Sequence, residues 1–330
     1  MQRILVTGGS GFIGSHLTER LLARGDHVTV VDDESTGRAE NLDGVRKCDR
    51  FTYHRGTIAN ADLLGELLPE VDEVYHLAAA VGVSLIAKHP IQTIERNIYP
   101  TERLLAEACR QQMRGRTIRL FLASTSEVYG KNPKERWNEE DDLVFGPTIR
   151  ARWSYGASKA IDEFLALAYW REYQLPVVVG RFFNVVGPRQ TGAYGMVLPR
   201  FVEAAVAGRP LMVHDDGRQI RCFAHVDDVI RAVLGLMAAP RAAGTVVNIG
   251  SDVPVSIHDL ALRVIAASGS RSTVAFQTYT SAYDRDFEDV RRRVPDLARL
   301  RELIGFEPVR SLDSIIGELV AIARGARIIP

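Results

Sequence analysis

The chain has 330 residues, 46% of them hydrophobic, which is enough for one large α/β domain and a smaller companion. Its 41 lysines and arginines balance 41 aspartates and glutamates, which excludes a general polyanion binder while leaving room for a local basic cluster. Three widely spaced cysteines, Cys48, Cys109 and Cys222, make no disulfide framework and suit a reducing compartment; Cys109 reads as an inert core thiol.

Residues Arg3 to Thr7 form a short apolar strand pattern, Phe12 to Ala23 a helix, and His27 to Asp32 a strand of β-branched residues. Because the opening residues already read as a strand, no signal peptide is expected. No apolar run approaches the roughly 20 residues that span a bilayer, so the expected location is the cytoplasm, without a membrane partner. Further helices are predicted near Asp62–Leu68, Gln92–Gln112 and Ser154–Tyr173, with strands at Glu73–His76, Ile118–Ala123 and Pro176–Arg181. Pro100 should kink the helix around it, since proline removes a backbone donor. From Gly187 the pattern loosens. Gly187, Pro188, Gly192 and Gly195 mark a long loop, followed by helices at Val197–Ala207, Val226–Met237 and Ile257–Ala267 and brief strands such as Thr245–Ile249. The alternation predicts a Rossmann-type doubly wound parallel sheet over residues 1–186. A smaller α/β substrate-binding lobe is expected over 187–330, some of its segments returning to the first domain, with a cleft between the two.

Thr7-Gly8-Gly9-Ser10-Gly11-Phe12-Ile13-Gly14 lies between the first strand and helix and contains both GxGxxG and TGxxGxxG. Glycines there allow a tight turn and let backbone amides approach a pyrophosphate at a helix N-terminus. The next strand ends in Val31-Asp32-Asp33, at the offset of a ribose-binding carboxylate. An acid at Asp32 accepts from a ribose diol and repels a 2′-phosphate, which points to NAD rather than NADP. Further on, Ser124-Thr125-Ser126-Glu127 follows a strand, and Tyr155-Gly156-Ala157-Ser158-Lys159 opens a helix. Tyr155 and Lys159 share one helix face. A phenol with a pKa near 10 becomes a usable base when an ammonium favours its anion.

Together these motifs resemble the extended short-chain dehydrogenases/reductases of the NAD-dependent epimerase/dehydratase family, over nearly the whole chain. The resemblance implies a cofactor site of Gly8, Gly11, Phe12, Ile13, Gly14, Asp32, Ile58, Asn97, Tyr155 and Lys159, with Thr125 four residues before Tyr129 as the catalytic threonine. Arg181-Phe182-Phe183-Asn184 through Arg189 is similar to the family's RxxNxxGP segment, and Gly217 to Arg221 to its DGxQxR segment. They imply that Asn184, Arg189 and Arg221 meet a nucleotide diphosphate. Thr57 departs from an acid that relatives often place near the adenine. A homodimer through the helices near Gln92–Gln112 and Ser154–Tyr173 is also implied.

Within the family, Thr125-Ser126-Glu127 resembles the segment of UDP-glucuronate decarboxylases and of GDP-mannose 4,6-dehydratases, the latter generally users of NADP. Arg152-Trp153-Ser154-Tyr155 and Arg291-Arg292-Arg293-Val294-Pro295-Asp296 are similar to bacterial UDP-glucuronate decarboxylases, with Arg293 at their catalytic arginine. The expected catalytic set is Thr125, Ser126, Glu127, Tyr155, Lys159 and Arg293, with Arg293 also on substrate. The implied reaction is C4 oxidation of UDP-glucuronate, loss of CO2 and possible re-reduction to UDP-xylose. A 4,6-dehydratase, a 4-epimerase and a non-catalytic NAD sensor are the alternatives. Plainer roles stand beside these: Glu127 as a backbone cap, at least one of Arg291–Arg293 on a solvated face, His76 in packing or against the cofactor, and Asp227-Asp228 capping the following helix. Neither metal-ligand spacing nor a nucleic-acid patch is present in the pattern.

Overall fold

The computed structural model describes residues 1–80, 89–192, 196–278 and 288–326; Gly195 of the expected loop lies outside them. A seven-stranded sheet forms the centre, built from β1 (Arg3–Thr7), β2 (His27–Asp32), β3 (Phe51–Arg55), β4 (Glu73–His76), β5 (Arg119–Thr125), β6 (Val177–Phe182) and β11 (Thr245–Ile249). The order is β11-β6-β5-β4-β1-β2-β3, and every pairing is parallel. Helices α1 (Phe12–Ala23), α2 (Ala61–Leu67), α3 (Pro90–Met113) and α4 (Ser154–Tyr173) make four of the five connections among the first six strands, and a short 3-10 turn, Ala39–Leu42, lies between β2 and β3.

Two apolar cores explain why the inner strands are almost uninterrupted hydrophobic runs: both faces of the sheet are covered. One core joins Ile4, Val6, Leu17 and Leu21 to Val229, Val233 and Leu236; the other joins Leu5, Val74, Leu104, Leu120 and Val179. β3 escaped the sequence reading because it is an edge strand. Its Phe-Thr-Tyr-His-Arg mixes half-buried and exposed positions and carries no apolar run.

Segments of the second half join the first domain. β11 pairs with β6 and completes the central sheet, while α6 (Val226–Ala238) packs on α1 within the first core. A separate third core holds α5 (Val197–Val206), α7 (Ile257–Ser268) and α9 (Leu312–Ala323) together. Short strand pairs join this region: β7 (Val185–Val186) with β10 (Ala224–His225), β8 (Leu211–His214) with β13 (Val274–Gln277), and β9 (Ile220–Arg221) with β12 (Val255–Ser256). The helix α8 (Ala298–Ile304) returns to β11 and α6.

α6 also corrects an expectation about its cap. His225, not Asp227 or Asp228, is the N-cap residue, and its side chain accepts from the amide of Asp227. Asp228 is buried and accepts instead from the amides of Val309 and Arg310, tying α6 to the segment before α9. That partner is distant in sequence, so no local pattern announces it.

The sheet's order of connection reverses between β1 and β4. At such a switch point the loops leaving adjacent strands diverge to opposite faces, and a crevice opens at their carboxyl ends.

Candidate active site

That crevice is a single cavity of about 1120 Å³, and both halves of the chain line it. It exceeds the roughly 300–1,000 Å³ of an ordinary small-molecule cleft, so it has room for two ligands end to end. One end is the glycine loop. A Cβ on Gly14 would stand 2.1 Å from the carbonyl oxygen of Gly8; only glycine lets α1 begin this close to the turn. Gly11 caps α1 with no side-chain hydrogen bond, which leaves the helix's first amides for an anion. Asp32, buried at the end of β2, accepts from the amides of Ser10 at 2.9 Å and Glu34 at 2.8 Å. These bonds fix the carboxylate at the cavity wall while leaving lone pairs for a diol. Gly8, Gly11, Phe12, Ile13, Gly14, Asp32, Thr57 and Ile58 all line this end. The residues fit a dinucleotide: amides for the pyrophosphate and a fixed acceptor for the ribose.

The opposite end is built where β5 meets the start of α4. β5 runs two residues beyond its expected end and carries Ser124 and Thr125 to the sheet's carboxyl edge. There the chain turns through Ser126–Tyr129, with Thr125 Oγ1 accepting from the amide of Glu127 at 3.2 Å. The threonine hydroxyl therefore keeps its proton to donate elsewhere. A Cβ on Gly156 would meet the carbonyl of Glu127 at 2.5 Å, so the glycine after Tyr155 brings the helix start against this turn. Thr125, Ser126, Glu127 and Tyr155 consequently share the cavity wall.

Glu127 does not serve as a backbone cap. Arg152 Nη1 lies 2.5 Å from one of its oxygens and Arg293 Nη1 2.8 Å from the other. Burial opposes ionisation, yet the two guanidinium groups more than offset it and hold the carboxyl near 2, so it is a carboxylate throughout the neutral range. Arg152 arrives from the short turn before α4; Arg293 arrives on a strap, residues 288–296. The strap is pinned from both sides. Trp137 donates to the carbonyl of Val294 and accepts from the amide of Asp296, while the amide of Arg293 donates to Ile220. Of the arginine run, Arg291 lies at the surface against Asp215 and Asp216, Arg292 binds the carbonyl of Glu135, and only Arg293 turns inward. Its Nε is buried without a hydrogen-bond partner.

Burial pushes the Tyr155 phenol upward and the Glu127 charge adds to this, against the hydrogen bond from Thr125. In the free protein the phenol is therefore held protonated. Asn184, Arg189 and Arg221 also line the cavity. Asn184 takes a left-handed φ of 32° and donates to the carbonyl of Cys222; Arg189 pairs with Glu19 across to α1; Arg221 pairs with Asp289 at 2.9 Å.

Two expected site residues make buried protein contacts. Asn97 accepts from the amide of Ala80 and donates to Ser158 Oγ, so its side chain ties the loop after β4 to α4. Lys159 is buried 2.8 Å from Asp162 Oδ2. His76 is wholly internal between Thr7 Oγ1 and Thr101 Oγ1, and burial followed by the Lys159 charge brings it down to about 3. Both contacts pack it inside the fold. Arg152 is the residue that sequence reasoning passed over: it was visible in the Arg-Trp-Ser-Tyr segment, but only folding shows what it faces. Among the described residues no cluster of His, Cys, Asp or Glu suits a metal ion, and no helix is long and apolar enough to cross a membrane.

The chain is similar to known nucleotide-sugar enzymes over nearly its whole length. Residues 5–319 match the family model described as GDP-mannose 4,6 dehydratase. The chain is 36% identical over 323 residues to a UDP-N-acetyl-alpha-D-glucosaminuronate decarboxylase of Bacillus cytotoxicus, covering 97% of each. It is 33% identical to UDP-glucuronic acid decarboxylase 1 of Xenopus tropicalis, over 97% of this chain and 71% of that protein. The fold superposes on the UDP-glucuronic acid 4-epimerase of Bacillus cereus, solved with UDP-glucuronic acid and NAD, with a TM-score of 0.86, 29% identity and coverage of 98% and 99%. The chain belongs to the GDP-mannose 4,6 dehydratase family, among the extended short-chain nucleotide-sugar decarboxylases, epimerases and dehydratases.

Proposed function

We propose that the protein is an NAD-dependent decarboxylase of UDP-linked hexuronates, with UDP-glucuronate as substrate. The observation that carries this reading is that two buried arginines from distant segments, Arg152 and Arg293, converge on the carboxylate of Glu127 at the sugar end. Guanidinium groups held in this way suit the C6 carboxylate of a uronate, whereas a neutral hexose brings them no charge. The buried, unpartnered Nε of Arg293 gives that anion a donor.

When bound, NAD supplies the hydride acceptor for C4 and a positive charge that favours the phenolate. Tyr155 removes the C4 hydroxyl proton while Thr125 hydrogen-bonds the same oxygen. The C4 ketone makes the C6 carboxylate a β-keto acid. The C5–C6 bond breaks, its electron pair passes into the enolate, and CO2 leaves. Thr125 and Tyr155 face the developing oxyanion. Ser126, Glu127 and the two arginines hold the C5–C6 end so that the breaking bond overlaps the carbonyl. Protonation at C5 gives a 4-keto-pentose; re-reduction of that ketone gives UDP-xylose.

Mass spectrometry after incubation with UDP-glucuronate, UDP-N-acetylglucosaminuronate, UDP-glucose and GDP-mannose tests the proposal. Loss of CO2 from UDP-glucuronate supports it. UDP-galacturonate without mass loss would make the protein an epimerase, loss of water from a neutral sugar a dehydratase, and no turnover a sensor. The name of the Bacillus cytotoxicus relative favours a second reading, that the preferred uronate is N-acetylated; the second substrate in the panel decides between the two.

Two further outcomes are expected. In calorimetry the protein binds NAD more tightly than NADP, because the fixed Asp32 carboxylate repels a 2′-phosphate; Asp32→Ser narrows the preference by about tenfold or more. Equal affinities in the native protein would remove Asp32 from this role. Light scattering should also give a dimer at micromolar concentration. α3 and α4 pack together and leave Ile91, Ile94, Tyr99, Ile161 and Phe164 exposed on neighbouring helices, an apolar surface that a second copy would cover. Phe164→Glu is expected to yield monomers.

A further inference from the structure

Lys159 lies on the face of α4 that carries Tyr155, one turn along, and is almost completely buried. Its ammonium meets Asp162 Oδ2 at 2.8 Å, and Asp162 has no exposed surface at all. The second oxygen, Oδ1, is buried with no hydrogen-bond partner. An ion pair with one carboxylate oxygen left unsatisfied is a poor stabilising device, since an apolar pair of similar volume would serve the fold as well or better. Stability alone does not account for it.

The surroundings narrow what the pair does. From β4, His76 faces the ammonium, and burial keeps that imidazole neutral in the neutral range. From α3, Thr101 faces Asp162 and donates its hydroxyl to the carbonyl of Asn97. On α4 itself, Glu163 is already engaged by Arg181 of β6, with contacts at 2.7, 3.0 and 3.2 Å. Glu127 and Arg152 act on Tyr155 from the cavity side. Among the described residues, Asp162 is the carboxylate bonded to the ammonium.

We propose that Asp162 is a positioning residue that holds Lys159 as an ammonium on the helix face of Tyr155, acting through the lysine and not on the substrate. The inference rests on Tyr155 as the base. A buried amine without a counter-charge loses its proton several pH units early, because a low-dielectric interior disfavours the charged form. A neutral lysine gives the phenolate no support.

The chain has five lysines, Lys47, Lys88, Lys131, Lys134 and Lys159, so nitrogen-15 lysine NMR of the intact protein resolves each amine, with Lys159→Met assigning the one of interest. In Asp162→Asn the Lys159 signal should change from ammonium to amine at a pH at least about 2 units lower than in the native protein. The basic limb of the turnover profile should move down with it, while NAD stays bound. Asp162→Glu, which keeps the charge, should restore both toward the native pattern. If the asparagine variant does not fold, Asp162→Ser, which leaves space for water, takes its place in both measurements. A Lys159 signal that titrates at the native pH in the folded variant would overturn the proposal, as would lower turnover with an unmoved basic limb. Near-native turnover in Tyr155→Phe would instead defeat the base assignment; the NMR midpoint does not depend on it.

Discussion

Tyr155→Phe is expected to lower turnover by about a thousandfold, within the roughly 10²–10⁴ that a positioned acid–base group contributes, while NAD binding stays close to native. The substitution removes one oxygen and changes little volume, so the buried first turn of α4 keeps its packing against the Glu127 carbonyl. The dinucleotide end depends on the glycine loop and on Asp32, which it leaves untouched. Burial and the Glu127 charge hold the phenol protonated in the free protein. The base is therefore assembled only when positive charge arrives beside it. Substrate oxidation followed by absorbance in a single turnover, together with calorimetric NAD binding, checks both halves. Retained oxidation in the variant would mean that another group takes the proton.

Arg293→Ala is expected to raise KM for a uronate and to lower kcat/KM by about thirtyfold to a few thousandfold. That range corresponds to the roughly 2–5 kcal/mol lost when one partner of a buried charge pair is removed. The variant removes one of the two guanidinium groups that pair with Glu127. The substrate carboxylate then loses its donor and faces the Glu127 charge. Glu127→Gln moves the site in the opposite direction. It removes the charge that both guanidinium groups share, so uronate binding should tighten, while kcat falls because the arginines are no longer held in place. Opposite shifts of KM in the two variants, each with NAD affinity near native, are the signature of an anion site governed by this clamp. Since Glu127 is already ionised far below neutrality, an acid limb near neutral pH belongs to another group. Unchanged KM in both variants would show that the substrate carboxylate lies elsewhere.

Much of the dinucleotide half was legible before folding, because its signals are local. A glycine turn, a helix start and a strand-terminal acid sit within about one βαβ unit, and backbone geometry forces residue type at each position. Gly14 must be glycine for α1 to begin against Gly8, and Asp32 must follow the strand whose end reaches the cavity. The Tyr155–Lys159 spacing was equally readable as one helix face. Edge strand β3 was not: half-exposed residues carry no apolar periodicity.

Interactions between distant segments were decided by tertiary structure. β11 looks like any brief strand of the second half, and only its pairing with β6 makes it part of the central sheet. Asn97 and Lys159 carry the expected residue types, but their partners Ala80, Ser158 and Asp162 are set by folding and not by local spacing. Arg152 and Arg293 are 141 positions apart by their numbers and meet on the two oxygens of one carboxylate. Residue type and local spacing determined which groups could do chemistry. Their ionisation and direction were set by burial and by charges from remote segments, because electrostatic interaction depends on distance in space and on exclusion of water.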